Sequence, residues 1–247
     1  MIRSMQDPRP RQDPRRVLNF PALLNARDLG GYPTSDGAAT RWRSVLRADD
    51  PVQLTSEGLR SVGEFGIKTI IDLRWPEEVA ASPNPLARHA GYRHISLLAQ
   101  SAERWGRMSA EGPKEKWKCE VLTHARPQLK AVLQIIAAAP EGPLLFHCVA
   151  GKDRTGLIAA VLLALADVTA EAIAYDYSVS AEHLREAYLA RYAHRERAEI
   201  LEAVRCPPEG AHRMLEYLDR CGGIRGYLEQ IGLSAPEVAQ LRARLRD

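Results

Sequence analysis

The sequence predicts an α/β fold: a mainly parallel central sheet flanked by helices, with a helical C-terminal third. Two short apolar runs carry that reading. Ile67–Ile71 and Leu144–His147 are nearly continuously apolar, as strands buried on both faces are. The third observation is order. Segments with helical apolar spacing fall between the strand-like runs, and crossover helices are what parallel neighbours require.

Composition bounds the rest. A chain of 247 residues with 45% hydrophobic and 26% charged residues has the make-up of an ordinary globular domain and can bury a substantial core. Residues 1–16 are rich in Pro, Arg, Asp and Gln and almost free of apolar side chains, which predicts a disordered basic arm. A single domain is expected over 17–247. The formal net charge of +3 is carried mostly by that arm, so no nucleic-acid-binding face is expected. Cys119, Cys148, Cys206 and Cys221 show neither Cys-x-x-Cys pairing nor zinc-ligand spacing, which points to free thiols in a reducing compartment. There is no apolar signal-peptide core, and the most apolar run, Leu157–Ala166, is too short to span a bilayer. The expectation is a cytoplasmic protein, with secretion by a signal-less route left open. Nothing in the chain fixes an oligomeric state.

The elements follow in order. Asn25–Tyr32 is turn-rich, with paired glycines. Trp42–Arg47 reads as a strand, and Thr55 caps a short helix from Ser56 to Phe65 closed by Gly66. After the strand at 67–71, Trp75-Pro-Glu-Glu78 marks a turn or helix start, residues 81–91 read as loop, and Tyr92–Leu97 as a strand. Residues 99–118 are polar and mixed. Cys119–Ala139 has helical spacing interrupted by Pro127, so a kink or two helices are expected. Leu144–His147 is the next strand, and Arg154–Ala166 a helix apolar nearly all round. Thr169 caps another helix. Ala181–Val204 reads as one long helix, Ala211–Arg220 and Ile224–Ile231 as shorter ones. The last runs from Ala235 to Leu245, with Ser234 as its cap.

Chemistry concentrates between the strand at 144–147 and the helix at 154–166. Cys148-Val-Ala-Gly-Lys-Asp-Arg154 places a thiol at the start of a tight loop and a guanidinium at its end. The six backbone N–H groups from Val149 to Arg154, contributed by Val149, Ala150, Gly151, Lys152, Asp153 and Arg154, can curl into a nest for a phosphate-sized anion. The following helix aims its positive end at the same spot. Gly151 relieves crowding in the curl, and Arg154 can bind two phosphate oxygens as a planar fork. The same field favours the thiolate of Cys148, the nucleophilic form. Thr155 can donate its hydroxyl to that sulfur, and His147 precedes it. A nucleotide-type phosphate loop does not fit, because Phe146 stands where its first glycine belongs and Asp153 follows Gly151-Lys152. A zinc site on His147 and Cys148 lacks a second ligand pair.

His147-Cys-Val-Ala-Gly-Lys-Asp-Arg-Thr-Gly156 resembles the signature of the cysteine-dependent protein tyrosine phosphatase superfamily. Its Gly-Lys-Asp-Arg-Thr form is similar to an atypical bacterial branch of tyrosine and lipid phosphatases. Asn25–Gly31, Ile70–Arg74 with Glu77 or Glu78 beyond, Asp176–Ser180 and Gly223–Leu233 resemble further motifs of that branch, so the resemblance spans roughly residues 18–245. It implies a phosphatase-like fold and hydrolysis of phosphate esters through a cysteinyl-phosphate intermediate, with no metal or cofactor. A mycobacterial member carries an aromatic residue directly after the cysteine. Val149 stands there in this chain, so any preference resting on that ring does not transfer.

A general acid for the leaving oxygen is also needed. Asp153 lies inside the loop. Asp72 lies at the carboxyl end of the strand at 67–71, on the sheet edge where Cys148 also falls and where ligands of open α/β folds collect. Asp153 is the better-placed of the two; for Asp72 the alternative is a structural ion pair with Arg74 or Arg47. In the related enzymes the Lys-Asp pair accompanies activity on phosphoinositides as well as phosphoproteins, so Lys152 admits a phosphoinositide or a phosphoprotein as substrate. Membrane contact follows only for a lipid substrate. Residues 169–215 read as amphipathic helices that pack on the domain; the resemblance implies, as the alternative, a helical lid over the pocket. Two other classes remain: a phosphate-binding module without catalysis, and a sulfurtransferase using the same kind of loop.

Overall fold

The computed structural model describes residues 13–98 and 117–246. Its centre is a five-stranded sheet in the order β1-β2-β5-β3-β4. The strands are β1 (Arg27–Asp28), β2 (Val45–Ala48), β3 (Thr69–Asp72), β4 (Tyr92–His94) and β5 (Leu144–His147). β2, β5, β3 and β4 run parallel, and only the short β1 is antiparallel to its neighbour. β5 occupies the middle. Ile71 and Phe146 pair in register, and Asp72 pairs with His147.

Side-chain alternation along the strands divides the core in two. Val45, Ile71, Leu144 and Phe146 face a large layer built from the helices after residue 117. Leu46, Ile70 and Leu145 face a smaller one with Phe20, Leu23, Val62 and Leu86. Both faces are therefore covered, which is why the strands are nearly continuously apolar.

The helices are α1 (Ser56–Phe65), α2 (Pro76–Ala81), α3 (Trp117–His124), α4 (Arg126–Ala138), α5 (Asp153–Leu165), α6 (Ala170–Ser178), α7 (Ser180–Arg191), α8 (Arg197–Val204), α9 (Glu209–Arg220), α10 (Gly223–Gln230) and α11 (Ala235–Leu245). Local signals set several ends. The Thr55 side chain accepts from Gly58 N–H at the start of α1, and Gly66 closes it in the left-handed conformation at φ 81°. Ser234 and Glu237 form a reciprocal capping box at α11. Pro127 divides the expected 119–139 segment into α3 and α4, with the break at Ala125. α5 is buried at Leu157, Ile158, Val161, Leu162 and Leu165, so it crosses the middle of the molecule. At roughly 2 kcal/mol for each large aliphatic side chain removed from water, this helix anchors the fold on which the loop before it depends.

Four expectations change. The strand read over Trp42–Arg47 is Val45–Ala48, because Trp42 and Arg43 form a turn in which the Trp42 ring packs on Gly30 and Gly31. Of the strand read over Tyr92–Leu97, only Tyr92–His94 pairs, at the sheet's edge. The long helix read over 181–204 is two, α7 and α8, with a turn at 192–196 that lets α8 fold back along α7. The basic arm does not extend to residue 16. Arg16 is buried, its Nε and Nη2 donating to Gly30 O and Gly31 O at 2.9 and 2.7 Å, with its guanidinium 3.8 Å from the centroid of the Tyr32 ring. Composition counts such an arginine as polar, while its flat cation satisfies carbonyls and stacks on an aromatic face. Residues 1–12, and most of the loop read over 99–118, lie outside the described residues. Among the described residues no helix is long and apolar enough to cross a membrane.

Candidate active site

The segment from Cys148 to Lys152 joins the end of β5 to the start of α5, and its carbonyls are all tied away from its centre. His147 Nδ1 lies 3.1 Å from Cys148 O. Asp50 N–H donates to Val149 O at 2.9 Å. Asn25 Nδ2 donates to Ala150 O at 2.9 Å and to Gly151 O at 3.1 Å, and Arg47 Nη2 donates to Gly151 O at 2.6 Å. Gly156 N–H donates to Lys152 O at 2.8 Å. A peptide unit whose carbonyl is held on one side turns its N–H to the other, so these contacts orient the N–H groups of Val149 to Asp153, five of the six expected in an anion nest. Gly151 adopts φ +63°, and a Cβ there would lie 2.5 Å from Ala48 O. Only glycine fits.

Arg154 is fixed from behind. Its Nη1 and Nη2 donate to Glu78 Oε2 and Oε1 at 2.6 and 2.9 Å, and its guanidinium lies 4.9 Å from the centroid of the Trp75 ring. Glu78 is itself held by Trp75 N–H at 2.7 Å. Cys148 is 3% exposed, at the floor of the loop. Thr155 is fully buried, and its hydroxyl has no hydrogen-bond partner among the described residues. An unpaired buried hydroxyl at the first turn of α5 is available to a sulfur or an incoming oxyanion.

The two aspartates part company. Asp72 is fully buried. It accepts from Arg74 Nε and Nη2, from Asn84 Nδ2 at 2.9 Å and from the Tyr92 hydroxyl at 2.9 Å. Burial alone would raise its proton affinity, but the hydrogen bonds and charge of Arg74 and the hydrogen bond from Asn84 outweigh it and hold the carboxyl well below the usual range. His147 Nε2 lies 2.9 Å from Asn84 Nδ2, and burial depresses its imidazole. A neutral ring with its proton on Nδ1 satisfies both contacts, accepting from Asn84 and donating to Cys148 O. Asp72 and His147 thus brace the strand end under the loop. Arg74 is the partner of Asp72; Arg47 is not.

Asp153, by contrast, is 42% exposed at its side chain. It accepts from the Tyr177 hydroxyl at 3.0 Å, with Lys118 Nζ and Lys152 Nζ at 3.6 and 3.5 Å. Burial pushes the carboxyl up, yet Lys152 and Lys118 overcome it, and the net shift is downward. Lys152 is anchored rather than free to meet a substrate. Its Nζ donates to Ala203 O at 2.7 Å and Arg205 O at 3.3 Å, tying the loop to the end of α8.

Behind the loop lies a buried charge cluster. Asp176 accepts from Arg27 Nε at 3.0 Å, from Arg47 Nη1 and from the Tyr32 hydroxyl at 3.0 Å. Arg27 also donates to Ser180 Oγ at 2.9 Å and to Asn25 Oδ1, which orients the Asn25 amide toward the loop. Burial raises the Asp176 carboxyl, but Arg47 and Arg27 bring it down to about 2. α6 and α7 are thereby locked to the sheet. α7 also carries Tyr188; burial pushes its phenol up, with Tyr192, Asp49 and Cys148 near enough to add to the push. Val149, 40% exposed, is the large apolar side chain open to solvent among the described residues. Cys206 is a buried free thiol, pushed up to about 11 by burial.

The supports supplied by Asn25, Arg47, Glu78, Asn84, Asp176, Lys118 and Tyr177 escaped the reading of individual residues. The available signal was the clustering of polar residues in Asn25–Gly31 and Asp176–Ser180, segments that turn-forming or helical expectation alone does not require.

Comparison with known proteins follows the same lines. Residues 18–247 match the model of a tyrosine phosphatase family. A tyrosine-protein phosphatase of Nostoc commune is 36% identical over 220 residues, which cover 82% of this chain and 74% of the relative. A protein of Cupriavidus necator, whose name assigns it provisionally to the tyrosine-protein phosphatases, is 28% identical over 170 residues, covering 66% of this chain and 62% of the relative. With a parallel sheet, a Cys-x5-Arg loop at its edge and a family match across nearly its whole length, this chain belongs to the tyrosine phosphatase family.

Proposed function

We propose that the protein hydrolyses phosphotyrosine-type monoesters through a cysteinyl-phosphate intermediate on Cys148. The observation that carries this reading is the loop whose carbonyls are tied outward, with a buried thiol at one end and a braced guanidinium at the other. Three phosphate oxygens face the inward N–H groups and Arg154, which stabilise charge as it redistributes in the transition state. Cys148 Sγ attacks phosphorus in line with the leaving oxygen. Asp153 gives that oxygen a proton as the P–O bond breaks. In the second step Asp153 takes a proton from the water that attacks the S–P bond. Asp72 has no place in this transfer. Its full burial and four partners make it a positioning residue for the strand end.

The test is phosphate release from an aryl phosphate with EDTA present, comparing wild type with Cys148→Ser. Thiol-dependent, EDTA-insensitive release is expected. Release that survives Cys148→Ser defeats the mechanism, and no release by wild type favours a binding module or a sulfurtransferase.

Substrate breadth extends, in this reading, to multiply anionic esters, including phosphoinositides and phosphoserine or phosphothreonine in acidic surroundings. A cleft of about 430 Å³ between α7 and α8 is lined by Arg185, Arg197 and Arg205 around Leu201, Val204 and Cys206. The cleft adjoins the loop through Arg205, whose carbonyl anchors Lys152, and in this reading its arginines take the role of binding additional negative charge. Charge reversal at Arg185 and Arg197 is expected to lower kcat/KM for such substrates and leave a simple aryl phosphate unaffected. Equal losses on both would remove the cleft from substrate selection.

A further inference from the structure

The proposed acid is charged in the free protein, and a general acid must hold a proton when the leaving group departs. Lys152 and Lys118 both favour the Asp153 carboxylate. A proton must therefore reach it once substrate arrives, from solvent on its exposed side or from a donor on its buried side.

The neighbours of Asp153 form a directed chain. Tyr177 has a single hydroxyl proton, and it donates to Asp153 Oδ1 at 3.0 Å. The Tyr177 phenol oxygen in turn accepts from Lys118 Nζ at 2.8 Å. Lys118 is 3% exposed and its ammonium lies 4.2 Å from the centroid of the Tyr177 ring. The lysine thus reaches water poorly; its Nζ stands 3.6 Å from Asp153 Oδ1 directly, and the shorter hydrogen-bonded path, at 2.8 and 3.0 Å, runs through the Tyr177 phenol. Lys118 is in α3, Tyr177 in α6 and Asp153 at the start of α5, so three separate elements converge to make the chain.

We propose that Lys118 and Tyr177 are positioning residues that load Asp153 with its proton through a two-bond relay. The inference rests on Asp153 being the general acid. Before substrate binds, the chain is ammonium, phenol and carboxylate. A phosphate dianion seated in the loop places negative charge beside Asp153 and raises its affinity for a proton. One N–H bond of Lys118 then breaks as an O–H bond forms on Tyr177, while the original Tyr177 O–H breaks as one forms on Asp153 Oδ1. The products are a neutral amine, a phenol and a carboxylic acid, with the total charge unchanged. Burial favours this neutral amine over the ammonium. Asp153 passes the proton to the leaving oxygen, regains one from water in the second step, and the relay resets in reverse when phosphate departs.

Several charged or titratable groups bear on Asp153 and its relay: Lys152 and Arg154 from the loop, Lys118, Tyr177, Cys206, and Arg47 behind Tyr177. Replacing one relay member leaves the others in place. Substitution at Tyr177 or Lys118 should therefore act on proton delivery rather than on phosphate binding.

The experiment measures kcat/KM across pH for wild type, Asp153→Asn, Tyr177→Phe and Lys118→Met, using aryl phosphates with good and poor leaving groups. Asp153→Asn is expected to lose roughly 100-fold or more on the poor leaving group and far less on the good one. Tyr177→Phe and Lys118→Met should show the same selectivity at about 10-fold or more, with a displaced alkaline limb and unaltered inhibition by inorganic phosphate. Wild-type leaving-group dependence and pH profile in Tyr177→Phe overturn the relay while Asp153 stands. A flat response in Asp153→Asn overturns the acid assignment itself. Thermal unfolding checks each variant. Tyr177→Phe keeps the ring that packs in the core and decides the matter if Lys118→Met does not fold.

Discussion

Glu78 grips Arg154 end-on, each carboxylate oxygen taking one N–H from a different terminal nitrogen. That geometry leaves the Nε–H and the neighbouring N–H of one Nη free along a single edge of the guanidinium, the kind of fork that two phosphate oxygens can accept from. It also fixes the guanidinium before substrate arrives, so little orientation is lost on binding.

Glu78→Gln retains size but gives up the charged fork. It is expected to lower kcat/KM on an aryl phosphate by about 10- to 100-fold and to weaken inhibition by inorganic phosphate in parallel. The pair is only partly shielded from solvent, so unfolding free energy should change by about 1 kcal/mol or less. A wild-type inhibition constant for phosphate in this variant would show that Arg154 holds its pose unaided.

Asn25 reaches across from the turn before β1 to hold two loop carbonyls at once. Asn25→Ala frees Ala150 O and leaves Gly151 O to Arg47 alone. A loss of about 1–2 kcal/mol in stability is expected from the hydrogen bonds. Activity should fall further than stability, because peptide units no longer held outward can rotate their N–H groups out of the nest. Kinetics and chemical denaturation on the same preparation compare the two. Equal and small effects would assign Asn25 to packing only.

What the sequence disclosed and what it hid divide by range. Leu144–His147, the Thr55 and Gly66 ends of α1 and the Ser234 cap depend on residues a few positions apart, and they stand where local chemistry puts them. The shared sheet edge of Asp72 and Cys148 was also legible, since parallel strands put their carboxyl ends together. The break at 192–196 was not, because α8 turns back to pack on α7, and helical spacing continues across the turn without marking it. Nothing near Lys152 in sequence announces its anchors, Ala203 O and Arg205 O, which lie about fifty residues away. The supports of the loop come from Asn25, Arg47 and Glu78, each far from Cys148 in sequence, and no pattern of spacing links them. Asp72 and Asp153 are the same residue type on one edge. Only their surroundings, four partners in full burial against partial exposure beside two lysines, tell brace from candidate acid.

Gly151→Ala tests the curl directly. The backbone is in the left-handed region, and the new methyl would press on Ala48 O and Asp49 N, atoms of the sheet and the residue after it. Neither can withdraw without disturbing β2. The loop is expected to shift, with kcat/KM falling about 100-fold or more and stability by roughly 1–3 kcal/mol. Retention of activity would mean that the nest tolerates a peptide flip at this point.

Acid should undo the Asp176 cluster before it undoes Asp72. The Asp176 carboxyl is lowered from 3.8 to about 2. A depressed carboxyl contributes stability that is present above its unfolded value and lost as pH falls through its folded one, so the window is about pH 4 to 2. The contribution is roughly 2 kcal/mol. Asp176→Asn removes that contribution at every pH and leaves Arg27 and Arg47 buried without a counter-charge, a loss of roughly 3–5 kcal/mol near neutrality. The variant's stability should therefore start lower and fall less steeply between pH 4 and 2. Tyr32→Phe, which deletes one donor to the same carboxylate, should cost about 1 kcal/mol and raise the midpoint of acid unfolding slightly. Urea unfolding at a series of pH values reads both effects. An acid slope in Asp176→Asn as steep as wild type would place the titrating groups elsewhere, with Asp72, held lower still by Arg74 and Asn84, the next to examine at more acidic pH.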